Sequence, residues 1–260
     1  MGDLQGKRIL VVGASSGVGK ACAQTFFRHD ANVIFAARRH DLLTEAIAQV
    51  GGGHAVTMDV SDELSISRAV AEGVSILGGI DAVIYTAGMS PIRRLSEMDA
   101  ELWTRIFAIN TFGPSLVFKA CMPHLSEDAI LAVMSSDSAF QPRHSLVPYA
   151  ASKAALEASM EGWRTEEIGG KRFMTVGIGP TQPSDFSVNF TPDEMVALIP
   201  HWTRQGFRTG VQSGDDVAEL LSGAMSTMFA SPSLGMETLL LRAPEPKVAI
   251  SDYGSSTLDM

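Results

Sequence analysis

Arg8-Ile-Leu-Val-Val12 runs directly into Gly13-Ala-Ser-Ser-Gly17-Val-Gly19, and the reading of this junction decides the fold. The first run is apolar after its opening arginine, as a strand covered on both faces must be. Val18, Cys22 and Phe26 then recur at helical spacing. A strand, a glycine turn and a helix in that order aim backbone N–H groups at one point, where the helix N-terminus favours negative charge such as a phosphate. Outside that context the same glycines read as a plain strand-to-helix turn.

Outward from the junction the pattern repeats. Candidate strands are Asn32-Val-Ile-Phe-Ala-Ala37, His54-Ala-Val-Thr-Met58, Asp81-Ala-Val-Ile-Tyr85, Ala129-Ile-Leu-Ala-Val-Met134 and Phe173-Met-Thr-Val-Gly-Ile178, with helical spacing near 41–50, 62–77, 99–123 and 148–168. Strands apolar on both faces alternating with helices imply an α/β fold, a doubly wound parallel sheet with right-handed crossovers. The alternation lapses over 181–213, a stretch holding Pro183, Pro192, Pro200, Phe186, Phe190, Trp202 and Phe207. Placed beyond the carboxyl end of a strand, where open sheets bind ligands, it reads as a substrate lid or as a helical cover for the sheet edge. The expected organisation is one domain over 1–248 with a frayed tail at 249–260.

The chain has 260 residues, 20 basic and 29 acidic, with a net charge of −9. That balance argues against broad binding to nucleic acid or anionic lipid. Cys22 and Cys121 form no CxxC pair and follow no secretory leader, so a reducing, cytoplasmic setting is expected, without a metal site. No apolar run approaches the ~18–20 residues that span a bilayer.

Two other motifs share the junction. Gly13-Ala14-Ser15-Ser16-Gly17 matches the GxSxG nucleophile elbow of a serine hydrolase, but only twelve residues precede it, too few for earlier strands and an oxyanion loop. The last histidine, His201, has no distinctive flank. A P-loop would need Gly where Ala14 stands and Ser or Thr where Ala21 stands.

Within a dinucleotide reading, the end of the second strand selects the nucleotide. It reads Ala37-Arg38-Arg39, with no carboxylate before Asp41, so planar guanidinium groups suited to a 2′-phosphate favour NADP(H) over NAD(H). The competing reading of Arg38 and Arg39 is a solvated pair. Asp59-Val60, ending the third strand, suits the adenine amino group and ring, and the small Thr86-Ala87-Gly88, ending the fourth, permits close approach.

Tyr149 and Lys153 are one helical turn apart, which puts both on one face. A phenol of pKa ~10 is a poor acid–base catalyst at neutral pH, and a nearby ammonium lowers that value. Alone, the pair is an ordinary surface contact. Ser136 lies thirteen residues before Tyr149 at a carboxyl end of the sheet, and Asn110 sits in a long apolar helix where its amide needs partners; alone, it reads as a helix-bending hydrogen bond.

Together Gly13-x3-Gly17-x-Gly19, Asp59, Thr86-Ala87-Gly88, Asn110, Ser136, Tyr149 and Lys153 resemble the short-chain dehydrogenase/reductase family over about residues 7–242. The resemblance implies a Rossmann sheet of about seven strands, often in a homotetramer or homodimer, acting on carbonyls or alcohols with a nicotinamide cofactor. It implies that Tyr149 is the general acid/base, that Ser136 binds the carbonyl oxygen, that Lys153 lowers the Tyr149 pKa and holds the nicotinamide ribose, and that Asn110 supports a water-linked proton relay. It adds Ser15, Ser16, Val18 and Pro180 to the cofactor-binding set. The chain departs from the family pattern at Thr86, at Pro180-Thr181 and at Leu239-Leu-Leu-Arg242. The expected activity is NADP(H)-linked interconversion of a small to medium, hydrophobic carbonyl and its alcohol, with Pro183, Phe186, Phe190 and Trp202 as an apolar wall or as packing. A nucleotide-sensing binding protein is the alternative, which four intact catalytic residue types disfavour.

Overall fold

In the computed structural model, which describes residues 3–167, 169–182, 191–206 and 210–244, the junction folds as its residues dictate. Strand β1 (Arg8–Val12) ends in the glycine turn, and helix α1 (Gly17–Arg28) leaves it. Then follow β2 (Asn32–Ala37), α2 (His40–Val50), β3 (His54–Thr57), α3 (Glu63–Leu77) and β4 (Ile80–Tyr85). The second half comprises α4 (Ala100–Phe107), a π-helical segment (Ala108–Phe112), α5 (Gly113–Cys121), β5 (Leu125–Ser136), α6 (Val147–Glu166) and β6 (Arg172–Ile178). Short strands β7 (Thr181–Gln182) and β8 (Gln212–Ser213) bracket α7 (Pro192–Arg204); α8 (Gly214–Ala230) and β9 (Thr238–Leu241) close the described fold.

Seven strands form one parallel sheet in the order β3-β2-β1-β4-β5-β6-β9. Alternation within each strand explains the cover on both faces. Ile9, Val11, Val33, Phe35, Ala82 and Ile84 point into one core with α1, α2 and α8, while Leu10, Val12, Ile34, Ala36, Val83 and Tyr85 point into another with α3, α5 and α6. Chain order reverses between β1 and β4, so the carboxyl ends of these two strands form a switch point, where such sheets bind ligands.

Two elements differ from the sequence expectation. The helix expected over 99–123 is interrupted by the π segment, because Asn110 turns its amide to the backbone of Met89 and the Tyr85 hydroxyl takes the Ile109 carbonyl at 2.6 Å. Strand β5 begins at Leu125, four residues before the expected start: Leu125 pairs with Ile80 of β4, and a register shift follows before Ile130 pairs with Ala82.

The insertion leaves and rejoins the sheet through the parallel β7–β8 pair, Thr181 opposite Gln212. Helix α7 starts in a Thr191–Glu194 capping box and packs Leu198 and Trp202 against Ile92 and Leu146. Trp202 also donates from Nε1 to the His144 carbonyl at 2.9 Å, so it serves as a packing residue. Pro183, Phe186, Phe190, Phe207 and the tail at 249–260 lie outside the described residues.

Candidate active site

A cleft of about 460 Å³ crosses the carboxyl ends of the strands at the switch point. The glycine turn makes its floor. Gly13 has φ +92°, and a Cβ there would stand 2.6 Å from the Ala87 nitrogen. A Cβ on Gly19 would collide with the Gly13 carbonyl and the Thr86 hydroxyl. Thr86, the departure from the family pattern, donates from N and from Oγ1 to the Val12 carbonyl, each at 2.8 Å, and thereby ties the end of β4 to β1 beside the turn.

Of the expected cofactor residues, Gly13, Ser15, Ser16, Gly17, Val18, Gly19, Arg38, Arg39, Asp59, Val60, Ala87, Gly88, Tyr149 and Lys153 all line this cleft. Arg39 donates to the Ser15 and Ser16 hydroxyls at 3.0 Å each, so it bridges the end of β2 to the glycine turn. Burial pushes the Asp59 carboxyl up, but hydrogen bonds from the Ser61 hydroxyl and N–H, with the charge of Arg38, outweigh it and hold Asp59 below its ordinary value.

Pro180, Asn110 and Ser136 do not line the cleft. The Pro180 carbonyl accepts from the Gln212 N–H at 2.9 Å and so fastens β8. Asn110 is fully buried and bonded on both sides: its oxygen accepts from the Met89 N–H, and its NH₂ donates to the Met89 carbonyl and the Ser152 hydroxyl, all at 2.9 Å. Ser136 ends β5, where its Oγ accepts from the Ser138 N–H at 3.1 Å and stands 3.4 Å from Asp137 Oδ1.

Tyr149 and Lys153 project from the first turns of α6 into the cleft, the amine 5.9 Å from the centre of the phenol ring. Lys153 is 4% exposed and donates to the Met134 carbonyl at 2.7 Å. Burial pulls its pKa down to about 8, with Glu157 opposing. The Tyr149 phenol is pushed up to about 12, chiefly by burial; the Ser136 hydroxyl pulls it down, Asp137 pushes it up and Arg143 pulls it down. Loss of bulk water outweighs the lowering that neighbouring cations give, Arg143 among them, so the phenol stands above its ordinary value although Lys153 lies close to its ring.

Sequence reading missed several lining residues, among them Met89, Ser90, Arg105, Ile109, Ser135 and Ile178. Ser135 and Ile178 were within reach, since both stand at carboxyl ends of strands. Arg105 comes from α4, and nothing in its local sequence marks it. Among the described residues no group of three His, Cys, Asp or Glu is placed to hold a metal ion, and no helix is long and apolar enough to cross a membrane.

The cleft's donor set fits a dinucleotide: guanidinium groups at one end, hydroxyls and helix N-terminal N–H groups in the middle, small residues beside them, an amine and a phenol at the far end. The short chain dehydrogenase family model matches residues 7–194. Short-chain dehydrogenase/reductase FrzI of Cladobotryum sp is 29% identical over 232 residues, covering 85% of this chain and 89% of that protein. Glucose 1-dehydrogenase of Gluconobacter oxydans is 32% identical over 159 residues, 58% of this chain and 60% of that one. Among solved structures, an alcohol dehydrogenase of Thermococcus sibiricus complexed with 5-hydroxy-NADP superposes with a TM-score of 0.78 at 21% identity, covering 94% of this chain and 100% of that one. A short chain dehydrogenase of Burkholderia cenocepacia in complex with NADP superposes with a TM-score of 0.77 at 24% identity, covering 92% and 97%. By its sheet, its switch-point cleft and the match over most of its length, the chain belongs to the short-chain dehydrogenase/reductase family of oxidoreductases.

Proposed function

We propose that this oxidoreductase uses NADP(H) in preference to NAD(H) to interconvert a carbonyl and a secondary alcohol on a small to medium substrate with an apolar body. The observation that carries the reading is the pairing of Tyr149 and Lys153 at one end of a cleft whose other end holds Arg38 and Arg39. A bound nicotinamide supplies or accepts the hydride. Arg38 and Arg39 hold the 2′-phosphate, the Ser15–Gly19 turn the pyrophosphate, Asp59 and Val60 the adenine, and Lys153 the nicotinamide ribose.

The chain's own groups manage the proton. With its pKa at about 12, the Tyr149 phenol stays protonated across neutral pH, the form that gives a proton to a carbonyl oxygen as that oxygen gains charge. Ser136 donates a hydrogen bond to the same oxygen, and Lys153, mostly charged at neutral pH with a pKa of about 8, offsets the phenolate left behind. Asn110 is a positioning residue: bonded on both sides, it fixes the helix interruption beside Lys153 and the wall of the expected proton relay. Pro180 serves the nicotinamide end through β8. The stretch 181–213 acts as a lid seated by Leu198 and Trp202, and a cytoplasmic homotetramer or homodimer belongs to the same reading.

The neighbours complexed with NADP and 5-hydroxy-NADP support a nicotinamide cofactor by likeness of fold, and the choice of NADP(H) rests on Arg38 and Arg39. A thermal-shift comparison of NADPH and NADH, followed by a panel of ketones and quinones monitored by NADPH absorbance, tests the reading. We expect larger stabilisation by NADPH and turnover of at least one carbonyl class. Stabilisation without turnover of any class would favour nucleotide sensing, and no stabilisation by either nucleotide would overturn both.

A further inference from the structure

Beside the Tyr149 end of the cleft lies a second cavity of about 40 Å³. At ~10–15 Å³ per water it holds roughly three, so it fits one end-group of a substrate and no more. Its walls carry Asp137, Gln141, Arg143, Gln205 and Arg242. Asp137 follows Ser136 in the chain and stands 3.4 Å from its Oγ, so cavity and reaction site share a wall.

These walls bring buried charge together. The Asp137 carboxylate is 4% exposed and already engaged, by Arg143 at 2.7 Å and by Arg242 Nε at 3.8 Å. Among the described residues, two guanidinium groups and one carboxylate line the cavity. Arg242 Nε is buried with no hydrogen-bond partner among the described residues. A buried donor left unmade is costly, and in native sites such groups usually answer to a ligand or solvent. The amide oxygen of Gln205 accepts from the His144 N–H at 3.0 Å, which leaves its NH₂ as a further donor.

We propose that this cavity is an anion subsite, and that the substrate of the Ser136–Tyr149 site carries a carboxylate which Arg242, with the Asp137-tethered Arg143, binds there. The inference rests on the oxidoreductase reading and deepens it: the substrate is an oxo acid or hydroxy acid, its apolar body reaching from the carboxylate to the reacting carbon. A planar guanidinium fork matches the two oxygens of a carboxylate. Arg143 links the two ends electrostatically, since it also acts on the Tyr149 phenol.

The test is a calorimetric titration, with and without NADP(H), of oxo acids in which one, two or three bonds separate the carbonyl carbon from the carboxylate, each against its own methyl ester. We expect at least one acid to bind ~10-fold or more tightly than its ester, as charge-assisted hydrogen bonds allow. Arg242→Gln should bring that ratio close to one and Arg242→Lys should leave it intermediate, with NADPH titration of each variant reporting on the fold. Esters binding as tightly as acids across the series, or a preference that survives Arg242→Gln, would overturn the subsite. The wild-type comparison decides the matter even if a variant does not fold. Turnover of the esters without any preference for acids would sink the subsite and leave the oxidoreductase reading standing; an acid preference in a protein that turns nothing over would do the reverse.

Discussion

Arg38 and Arg39 lie exposed at the nucleotide end of the cleft, whereas Asp137 and Lys153 at the opposite end are each only 4% exposed. Solvent screens the first pair, so their charges add little to stability, and a ligand can be selected there without cost to the fold. At the other end charges sit where water is scarce. That raises their mutual influence and makes the folded state carry a desolvation penalty that only chemistry can justify. One end is shaped by backbone, the other by buried charge.

This contrast can be broken at either end. The largest effect is expected at Gly19, where an added Cβ meets the backbone carbonyl of Gly13 and the turn has to shift. Gly19→Ala should weaken NADPH binding on the order of 10²-fold by calorimetry, since overpacking costs about 1–3 kcal/mol and here the clash is with backbone; retained affinity would show that the turn does not grip the nucleotide.

The buried end comes next. Lys153 titrates at about 8 in the folded protein against 10.5 when exposed. Below 8 it is charged in both states and its burial penalty, roughly 3 kcal/mol, is fully present; between those values the unfolded chain holds more protons, so stability climbs as pH rises. Lys153→Met should therefore unfold at higher denaturant at neutral pH, by about 1–3 kcal/mol once the lost bond to Met134 is counted, while losing activity. The gain should shrink to nothing above pH 10.5. A gain independent of pH, or no gain, would deny that Lys153 is held in place at the expense of stability.

The smallest effect belongs to the exposed end. Arg38→Asp should weaken NADPH binding about 10-fold more than NADH binding, the worth of one charge-assisted contact at a solvated site. Equal losses would transfer the 2′-phosphate to Arg39, which already reaches the Ser15 and Ser16 hydroxyls.

The same contrast separates what could be read in the sequence from what could not. β1 and β2 fall on the expected residues because both faces of each are apolar and a turn or a charged pair ends the run. Local physics suffices there, as it does for the glycines. The break between α4 and α5 was legible only as a helix-bending amide at Asn110, since apolar spacing continues through it and the partner, Met89, lies 21 residues away. Asp137, Arg143 and Arg242 converge from the end of β5, the approach to α6 and the residue after β9, and no spacing in one stretch announces such a cluster. The Tyr149–Lys153 spacing put both groups in the cleft, but not the balance of desolvation and charge that sets the phenol, because that depends on what surrounds it.

The most direct measurement is NADPH consumption by wild type and Tyr149→Phe on one turned-over carbonyl, with NADPH affinity measured in parallel. Tyr149→Phe should lose at least ~10²-fold in kcat/KM while binding NADPH as before, because only the proton donor is removed. An undiminished rate would place the proton source elsewhere and contradict the role assigned to the buried end of the cleft.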